Sequence, residues 1–151
     1  MKYLLIALIF LSTPALAEIE YTHFMVHHTD TPSKWGTFDK EKCDELATAR
    51  GWTECGYNFM IERDGTVYTG RALGKQGAHC PTNGMNRNAI AVALVLKGEI
   101  EQPTEYQVEA LKSVYRQYSR AFDGLELTMH KEHRATLCPG KYVSQIVKEM
   151  S

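Results

Sequence analysis

The run AIAVALVL at residues 89–96 is the most apolar stretch that follows the first 17 residues of this 151-residue chain. A short, continuous apolar run of this kind is typical of a strand that is buried on both faces of a sheet. We therefore predict that residues 89–96 form the central strand of the fold. The chain length favours a single domain around that strand.

The segments before this strand predict a strand, a helix, a hairpin and a loop. Residues 21–27 are rich in aromatic and β-branched side chains and predict a buried strand. Residues 38–50 predict a helix, and residues 56–71 predict two strands joined at Asp64-Gly65, a dipeptide that favours a tight hairpin turn. Residues 74–87 are polar and Gly-rich and predict a long loop, which in a compact domain often carries function.

The segments after the central strand complete an α/β pattern. Residues 104–122 predict a helix that begins with a capping box between Thr104 and Gln107. Residues 125–129 predict a short strand, and residues 142–150 predict a closing helix. We therefore expect a single α/β domain with a mixed central sheet of about five or six strands and helices packed on it.

The first 17 residues have the pattern of a secretory signal peptide. Lys2 precedes the apolar run at residues 3–11, and Ala15-Leu16-Ala17 matches a cleavage site. The run is shorter than the ~20 residues that a membrane span needs. We predict cleavage before Glu18, a folded domain over residues 18–151, and a secreted or periplasmic protein with no transmembrane segment in its mature chain. The alternative is a buried N-terminal helix.

The charges and the cysteines restrict the expected partners and bonds. With 17 basic and 18 acidic residues, the chain has no basic excess that would favour nucleic acid as a partner, and we expect a soluble monomer. An even number of cysteines in an exported chain favours disulfides. We prefer a Cys43–Cys55 bridge, because both residues occupy apolar positions around one predicted helix end. The alternative is that both are small core residues.

Several histidines and one cysteine are candidate metal ligands. Cys138 offers a thiolate, and His130 or His133 offers an imidazole, a combination that suits Zn²⁺. A third ligand could come from the pair His27-His28 at the end of the first predicted strand, and only one of them is expected to face the metal because adjacent strand residues point to opposite faces. Two histidines and one cysteine leave a tetrahedral position for water, as in catalytic zinc sites.

Five short motifs occur in order between residues 26 and 140. They are VHHT (26–29), GW (51–52) with GYNF (56–59), DGTVY (64–68) with GR (70–71), GAH (77–79), and His130 with TLCPG (136–140). Each motif is weak alone, but in this order the chain resembles the zinc-dependent N-acetylmuramoyl-L-alanine amidase family. That family includes the phage lysozyme-type amidases and the animal peptidoglycan recognition proteins.

The resemblance implies an enzyme that hydrolyses the amide between N-acetylmuramic acid and L-alanine in peptidoglycan. It implies site residues of three kinds: the Zn²⁺ ligands His27, His130 and Cys138, the catalytic hydrogen-bond donors Tyr57 and Thr136, and the substrate-binding residue His79. It leaves His133 as a non-ligand. One departure from the family pattern is Ala91, where many relatives have Gly, and we expect this to affect packing only.

Three other functions remain open at this level. A recognition protein could bind muropeptide without cutting it, although the non-catalytic members lack the cysteine ligand that Cys138 matches. A structural zinc site could be closed by His133 or Cys80. A Cys/His protease has the right residue types, but Cys138 stands directly before Pro139-Gly140 and lacks the helix N-terminus that usually activates such a thiol.

Overall fold

The computed structural model describes residues 19–151, except for the side chain of Ser33. The predicted signal peptide and its cleavage point before Glu18 lie outside the described residues. Within the described range, no helix has both the length and the apolar character that a membrane crossing requires.

Five strands form one mixed sheet, which confirms the predicted fold class. The strands are β1 (His23–His28), β2 (Phe59–Ile61), β3 (Val67–Thr69), β4 (Ala89–Leu94) and β5 (Glu126–Met129). Their order is β3-β2-β4-β1-β5, so β4 is the central strand, as predicted. The β2–β4, β4–β1 and β1–β5 pairs are parallel, and the β2–β3 hairpin is antiparallel.

The helices largely follow the predicted positions. They are α1 (Lys40–Thr48), α2 (Met85–Asn88), α3 (Glu105–Ala121), α4 (His130–His133) and α5 (Lys141–Met150), with short 3-10 helices at Ser33–Trp35 and Thr82–Gly84. Helix α1 begins two residues later than predicted, because the Asp39 carboxylate accepts the Lys42 N–H at 3.0 Å and caps the helix there. The predicted capping box between Thr104 and Gln107 is present. The segment predicted as a loop over residues 74–87 contains two helical turns.

One face of the sheet packs against α3 and α5. Alternate side chains of β1, β2 and β4 meet apolar side chains of the two helices there, forming the main core, which includes Phe24, Val26, Ile61, Ile90, Val92, Leu94, Leu111, Val143 and Val147. Alternation in the strands and three- to four-residue spacing in the helices direct these side chains toward each other. We call this surface the helical face of the sheet.

The opposite face of the sheet packs against α1 and the segment 74–88. Its apolar clusters are smaller and rich in sulfur, with Cys43, Cys55 and Met60 in one cluster and Met25 and Cys80 in another. A disulfide joins Cys43 to Cys55, which confirms the preferred pairing. We call this surface the site face, because it carries the residues described next.

Strand topology brings distant parts of the chain together at one edge of the sheet. Strands β1 and β5 are parallel neighbours, and Val26 lies opposite Met129. The next residues along the two segments are His27, at the carboxyl end of β1, and His130, at the start of α4. The sheet therefore places residues 103 positions apart in the chain beside each other.

Candidate active site

Three predicted metal ligands converge at this edge of the sheet. His27, His130 and Cys138 each offer a ligand atom, and these atoms lie within 4.8 Å of one another. The Cys138 Sγ lies 3.5 Å from the His27 Nδ1, and the rings of His27 and His130 have centroids 4.6 Å apart. Among the described residues, this is the only group of three or more His, Cys, Asp or Glu side chains with metal-binding geometry. His27 and Cys138 are buried, and His130 is half-buried.

The turn that carries Cys138 is fixed from two sides. The His28 N–H donates to the Cys138 Sγ at 3.4 Å, and the Lys131 N–H donates to the Cys138 carbonyl at 3.0 Å. Gly98 lies so close to this turn that a Cβ on it would be 2.0 Å from the Pro139 carbonyl oxygen. Only a residue without a side chain fits there, so the loop after β4 is part of the support for the thiol.

The side chains of His27 and His28 have separate roles in the structure. His27 lies on the site face and contacts the cluster, whereas the His28 Nδ1 accepts the Gly98 N–H at 3.0 Å. This agrees with the expectation that only one of the pair faces the metal ligands, since successive strand residues point to opposite faces.

Burial sets the protonation states of the cluster. It lowers the pKa of His27 well below its usual value, and the neighbouring His79 and His130 act in the same direction. Burial also lowers the pKa of His130. Burial raises the pKa of the Cys138 thiol to about 12, against the opposing effect of the His28 N–H. The imidazoles are therefore neutral, which is the form that binds metal, while the thiol needs a nearby cation to ionise.

Tyr57 and Thr136, the two predicted hydrogen-bond donors, border the cluster. The Tyr57 ring centroid lies 5.2 Å from that of His27, and burial followed by the charge of Cys138 raises the pKa of the Tyr57 hydroxyl. The Thr136 hydroxyl oxygen accepts the Cys138 N–H at 3.2 Å. Both hydroxyls keep their protons near neutral pH, and each proton remains free to donate to a bound molecule.

His79 lies against His27 on a segment that a single asparagine holds in place. The His27 Nε2 and the His79 Nδ1 are 3.1 Å apart. The Asn86 carbonyl oxygen of the side chain accepts both the His79 N–H and the Cys80 N–H at 2.7 Å. Burial lowers the pKa of His79 to about 3, so this ring is neutral as well.

An open cleft of about 360 Å³ runs beside the cluster. It is lined by Trp52, Ala78, His79, Pro81, Asn86, His130 and Arg134. Sequence reasoning assigned no role to Asn86 or Arg134. Arg134 follows α4 with an extended backbone, so helical spacing could not predict its place beside His130 in the cleft. Nothing in the sequence pattern around Asn86 indicated that it anchors the segment carrying His79.

A model of the N-acetylmuramoyl-L-alanine amidase family matches residues 18–141. The chain belongs to this family. The match spans all three predicted ligand residues and the residues that line the cleft, so the described site lies within an amidase-family domain.

Individual relatives agree with this assignment. The chain is 30% identical to peptidoglycan-recognition protein LB of Drosophila melanogaster over 129 residues, covering 78% of this chain and 54% of that protein. It is 36% identical to the endolysin of Escherichia phage T7 over 95 residues, covering 60% of this chain and 62% of the endolysin. The chain therefore spans between half and two thirds of the length of these curated relatives.

A solved amidase shares the fold closely. The endolysin N-acetylmuramoyl-L-alanine amidase LysCS of Clostridium intestinale URNW superposes with a TM-score of 0.77 and 30% sequence identity. The superposition covers 87% of this chain and 84% of LysCS. The described domain thus corresponds to nearly all of that enzyme chain.

Two residues that could have closed the site in this amidase-family domain lie elsewhere. The His133 Nε2 is 2.9 Å from the Thr128 hydroxyl, and the His133 ring packs edge-on against His23. Cys80 is buried among Met25 and other apolar residues. Neither joins the three-residue cluster, so within residues 19–151 no fourth His, Cys, Asp or Glu completes a closed metal site.

Proposed function

We propose that this protein is a zinc-dependent N-acetylmuramoyl-L-alanine amidase that cleaves the amide between N-acetylmuramic acid and the L-alanine of the stem peptide. The observation that carries the proposal is the convergence of His27, His130 and Cys138 beside an open cleft, within a domain of the amidase family. We propose His27, His130 and Cys138 as the zinc ligands, and Tyr57 and Thr136 as catalytic residues.

The geometry of the cluster fits zinc. A tetrahedral zinc with bonds of ~2.0–2.1 Å to nitrogen and ~2.3 Å to sulfur places those two ligand atoms about 3.5 Å apart. The His27 Nδ1 and the Cys138 Sγ are 3.5 Å apart. The His130 Nε2 is buried without a hydrogen-bond partner, an arrangement that costs free energy unless a ligand satisfies it. Three protein ligands with a fourth position open is the pattern of catalytic zinc.

The residues around the cluster suit amide hydrolysis. When bound, zinc acts as a Lewis acid toward the scissile carbonyl and lowers the pKa of water to roughly 7. Amide hydrolysis builds negative charge on the carbonyl oxygen, and we propose that the protonated hydroxyls of Tyr57 and Thr136, which border the cluster, would donate to it. Thr136 also holds the Cys138 backbone, so it links the position of the thiol to the position of the donor.

The cleft supplies a binding surface beside this chemistry. His79 lines the cleft together with Trp52, and we keep it as a predicted substrate contact. The Arg134 side chain is exposed and makes no ion pair or hydrogen bond with any described residue, so its charge is available to a ligand.

We also propose that the protein acts as a monomer outside the cytoplasm, secreted or in the periplasm. The buried Cys43–Cys55 disulfide supports this location, because such bonds form and persist in oxidising compartments. Cleavage before Glu18 would be shown by N-terminal sequencing of the exported protein. Recovery of only the full-length chain, and only from the cytosol, would contradict export.

Digestion of purified peptidoglycan tests the proposed reaction. We expect the protein with zinc to release intact stem peptides with a free L-alanine amino group, as identified by mass spectrometry. A chelator should abolish the release, and added Zn²⁺ should restore it. Binding to peptidoglycan without any release, with zinc bound, would instead identify a non-catalytic recognition protein.

A further inference from the structure

We infer that His79 is a positioning residue for the metal ligand His27: it accepts the N–H of the His27 Nε2 and thereby leaves the His27 Nδ1 free to bind metal. The inference rests on the proposed zinc site and adds a role that the ligand set alone does not contain. It concerns which ring nitrogen of His27 carries the proton and which residue holds it there.

The two ring nitrogens of His27 face different partners. The Nδ1 faces the Cys138 Sγ at 3.5 Å, whereas the Nε2 faces the His79 Nδ1 at 3.1 Å. A neutral imidazole has one N–H and one acceptor nitrogen. If the Nδ1 of His27 is to bind metal together with Cys138, the proton must lie on the Nε2, and the hydrogen bond then runs from the His27 Nε2 to the His79 Nδ1.

The ring of His79 is fixed in the position that this role requires. Its backbone is held by the Asn86 side chain at 2.7 Å. On its other side, a Cβ added to Gly77 would lie 2.7 Å from the His79 Cδ2, so the glycine permits the close approach of the ring. The rings of His27 and His79 meet edge to face, with centroids 5.0 Å apart and planes at 84°. The ring therefore has little freedom to turn away from His27.

Both polar atoms of the His79 ring lie inside the protein. The Nδ1 contacts His27, and the Nε2 is buried without a hydrogen-bond partner among the described residues. A histidine that served only to contact substrate would expose a ring nitrogen to the cleft. The arrangement instead matches the hydrogen bond by which a neighbouring group fixes the tautomer and orientation of a metal-binding histidine.

Nitrogen-15 NMR of the zinc-loaded, wild-type protein tests the tautomers directly. We expect His27 to carry its proton on the Nε2 with the Nδ1 bound to metal, and His79 to have an unprotonated Nδ1. A His27 bound through its Nε2, or a His79 with its proton on the Nδ1, would overturn the inference. This measurement needs no substitution and does not depend on enzymatic activity.

Two substitutions of His79, by asparagine and by leucine, then measure how much its hydrogen bond to His27 contributes to zinc affinity. The two introduced side chains have similar shapes. Asparagine and leucine both branch at Cγ, but only the asparagine offers an oxygen near the place of the His79 Nδ1. Since loss of such a hydrogen bond typically costs ~10–100-fold in metal affinity, we expect His79→Leu to weaken zinc binding by that factor. We expect His79→Asn to remain within a few-fold of wild type. Competition with a chelating dye gives both dissociation constants.

His133→Leu is the matched control, because His133 is a partly buried histidine whose ring bonds to Thr128 and packs against His23 instead of joining the cluster. It should leave zinc affinity unchanged. Equal losses for His79→Leu and His79→Asn, or no loss for either, would refute a positioning role. If the zinc affinities follow the expected pattern but no stem peptide is released from peptidoglycan, the proposed reaction fails and the role of His79 stands.

Discussion

The two faces of the sheet are built by different interactions. The helical face is a continuous apolar core in which strand side chains meet α3 and α5. The site face has smaller apolar clusters, and much of its order comes from directed bonds: the Cys43–Cys55 disulfide, the Asn86 side chain on the backbone of His79, and the buried Arg71 guanidinium on backbone carbonyls. The helical face buries apolar side chains, and the site face holds side chains in defined positions through directed bonds.

This difference has a physical cause. Apolar burial is non-directional and scales with area, so it stabilises a fold without fixing any one atom closely. A metal cluster needs ligand atoms at defined distances, and hydrogen bonds to buried backbone groups hold them there. We therefore expect substitutions on the site face to change function more than stability, and substitutions on the helical face to do the reverse.

The largest effect on function should come from Cys138→Ser. A serine hydroxyl is a poor zinc ligand at neutral pH, so we expect loss of zinc beyond the ~10–100-fold that removal of a supporting hydrogen bond costs, and near-complete loss of amidase activity. Zinc content by atomic absorption and peptide release from peptidoglycan measure this. Far-ultraviolet circular dichroism should be unchanged, because Cys138 does not belong to the apolar core of the helical face.

The ligand set itself is tested by four alanine substitutions measured together. We expect His27→Ala and His130→Ala to lose zinc, and His133→Ala to retain it. His28→Ala should retain more zinc than His27→Ala, because the His28 side chain contacts Gly98 rather than the cluster. If His28→Ala lost zinc while His27→Ala kept it, the ligands would be assigned wrongly. The same would follow if His133→Ala lost zinc while His130→Ala kept it.

The next effect in size should be that of Tyr57→Phe, which keeps the ring and removes the hydroxyl. Loss of one donor to a developing oxyanion typically lowers the rate by ~10²–10³-fold. We expect a loss of that size in kcat, with zinc affinity unchanged because Tyr57 is not a ligand. A Tyr57→Phe variant that kept its kcat would show that the hydroxyl takes no part in the reaction.

The two faces also differ in how far the sequence predicts them. The helical face follows from periodicity: the central strand at residues 89–96 and the capped helix from Thr104 were both predicted near their observed bounds. The convergence of His27, His130 and Cys138 was predicted because their residue types and the motif order are informative. The contacts that hold these residues in place were not predicted. The anchoring of the His79 backbone by Asn86 and the close approach of Gly98 to Pro139 depend on contacts between segments that are distant in the chain.

Leu111→Ala probes the helical face with an effect on stability alone. Leu111 is fully buried between α3 and the sheet. Truncation of such a leucine costs ~2–5 kcal/mol, from lost burial and the cavity left behind. Urea unfolding should show this loss in the free energy of unfolding, while the folded fraction keeps its zinc content and its kcat. A selective loss of zinc in this variant would contradict the proposed division between the faces.

The smallest expected effect comes from replacing the disulfide on the site face, in the variant Cys43→Ala/Cys55→Ala. The bridge closes a short loop with a sequence separation of 12 residues. A loop of about this length gives ~3 kcal/mol by chain entropy. We expect somewhat less, because the Cys55 backbone keeps its bonds to the Asp44 carboxylate at 2.7 Å and to the Arg71 guanidinium at 2.8 Å.

The part of the structure that loses stability in this variant is more informative than the size of the loss. Trp52 lies inside the loop that the disulfide closes and lines the cleft, whereas no zinc ligand lies in that loop. Hydrogen exchange should therefore accelerate more in residues 44–57 than in α3, and KM for peptidoglycan fragments should rise while zinc affinity holds. Equal loss of protection in α3 would mean that the two faces unfold as one unit. The bridge would then stabilise the whole domain instead of shaping the cleft.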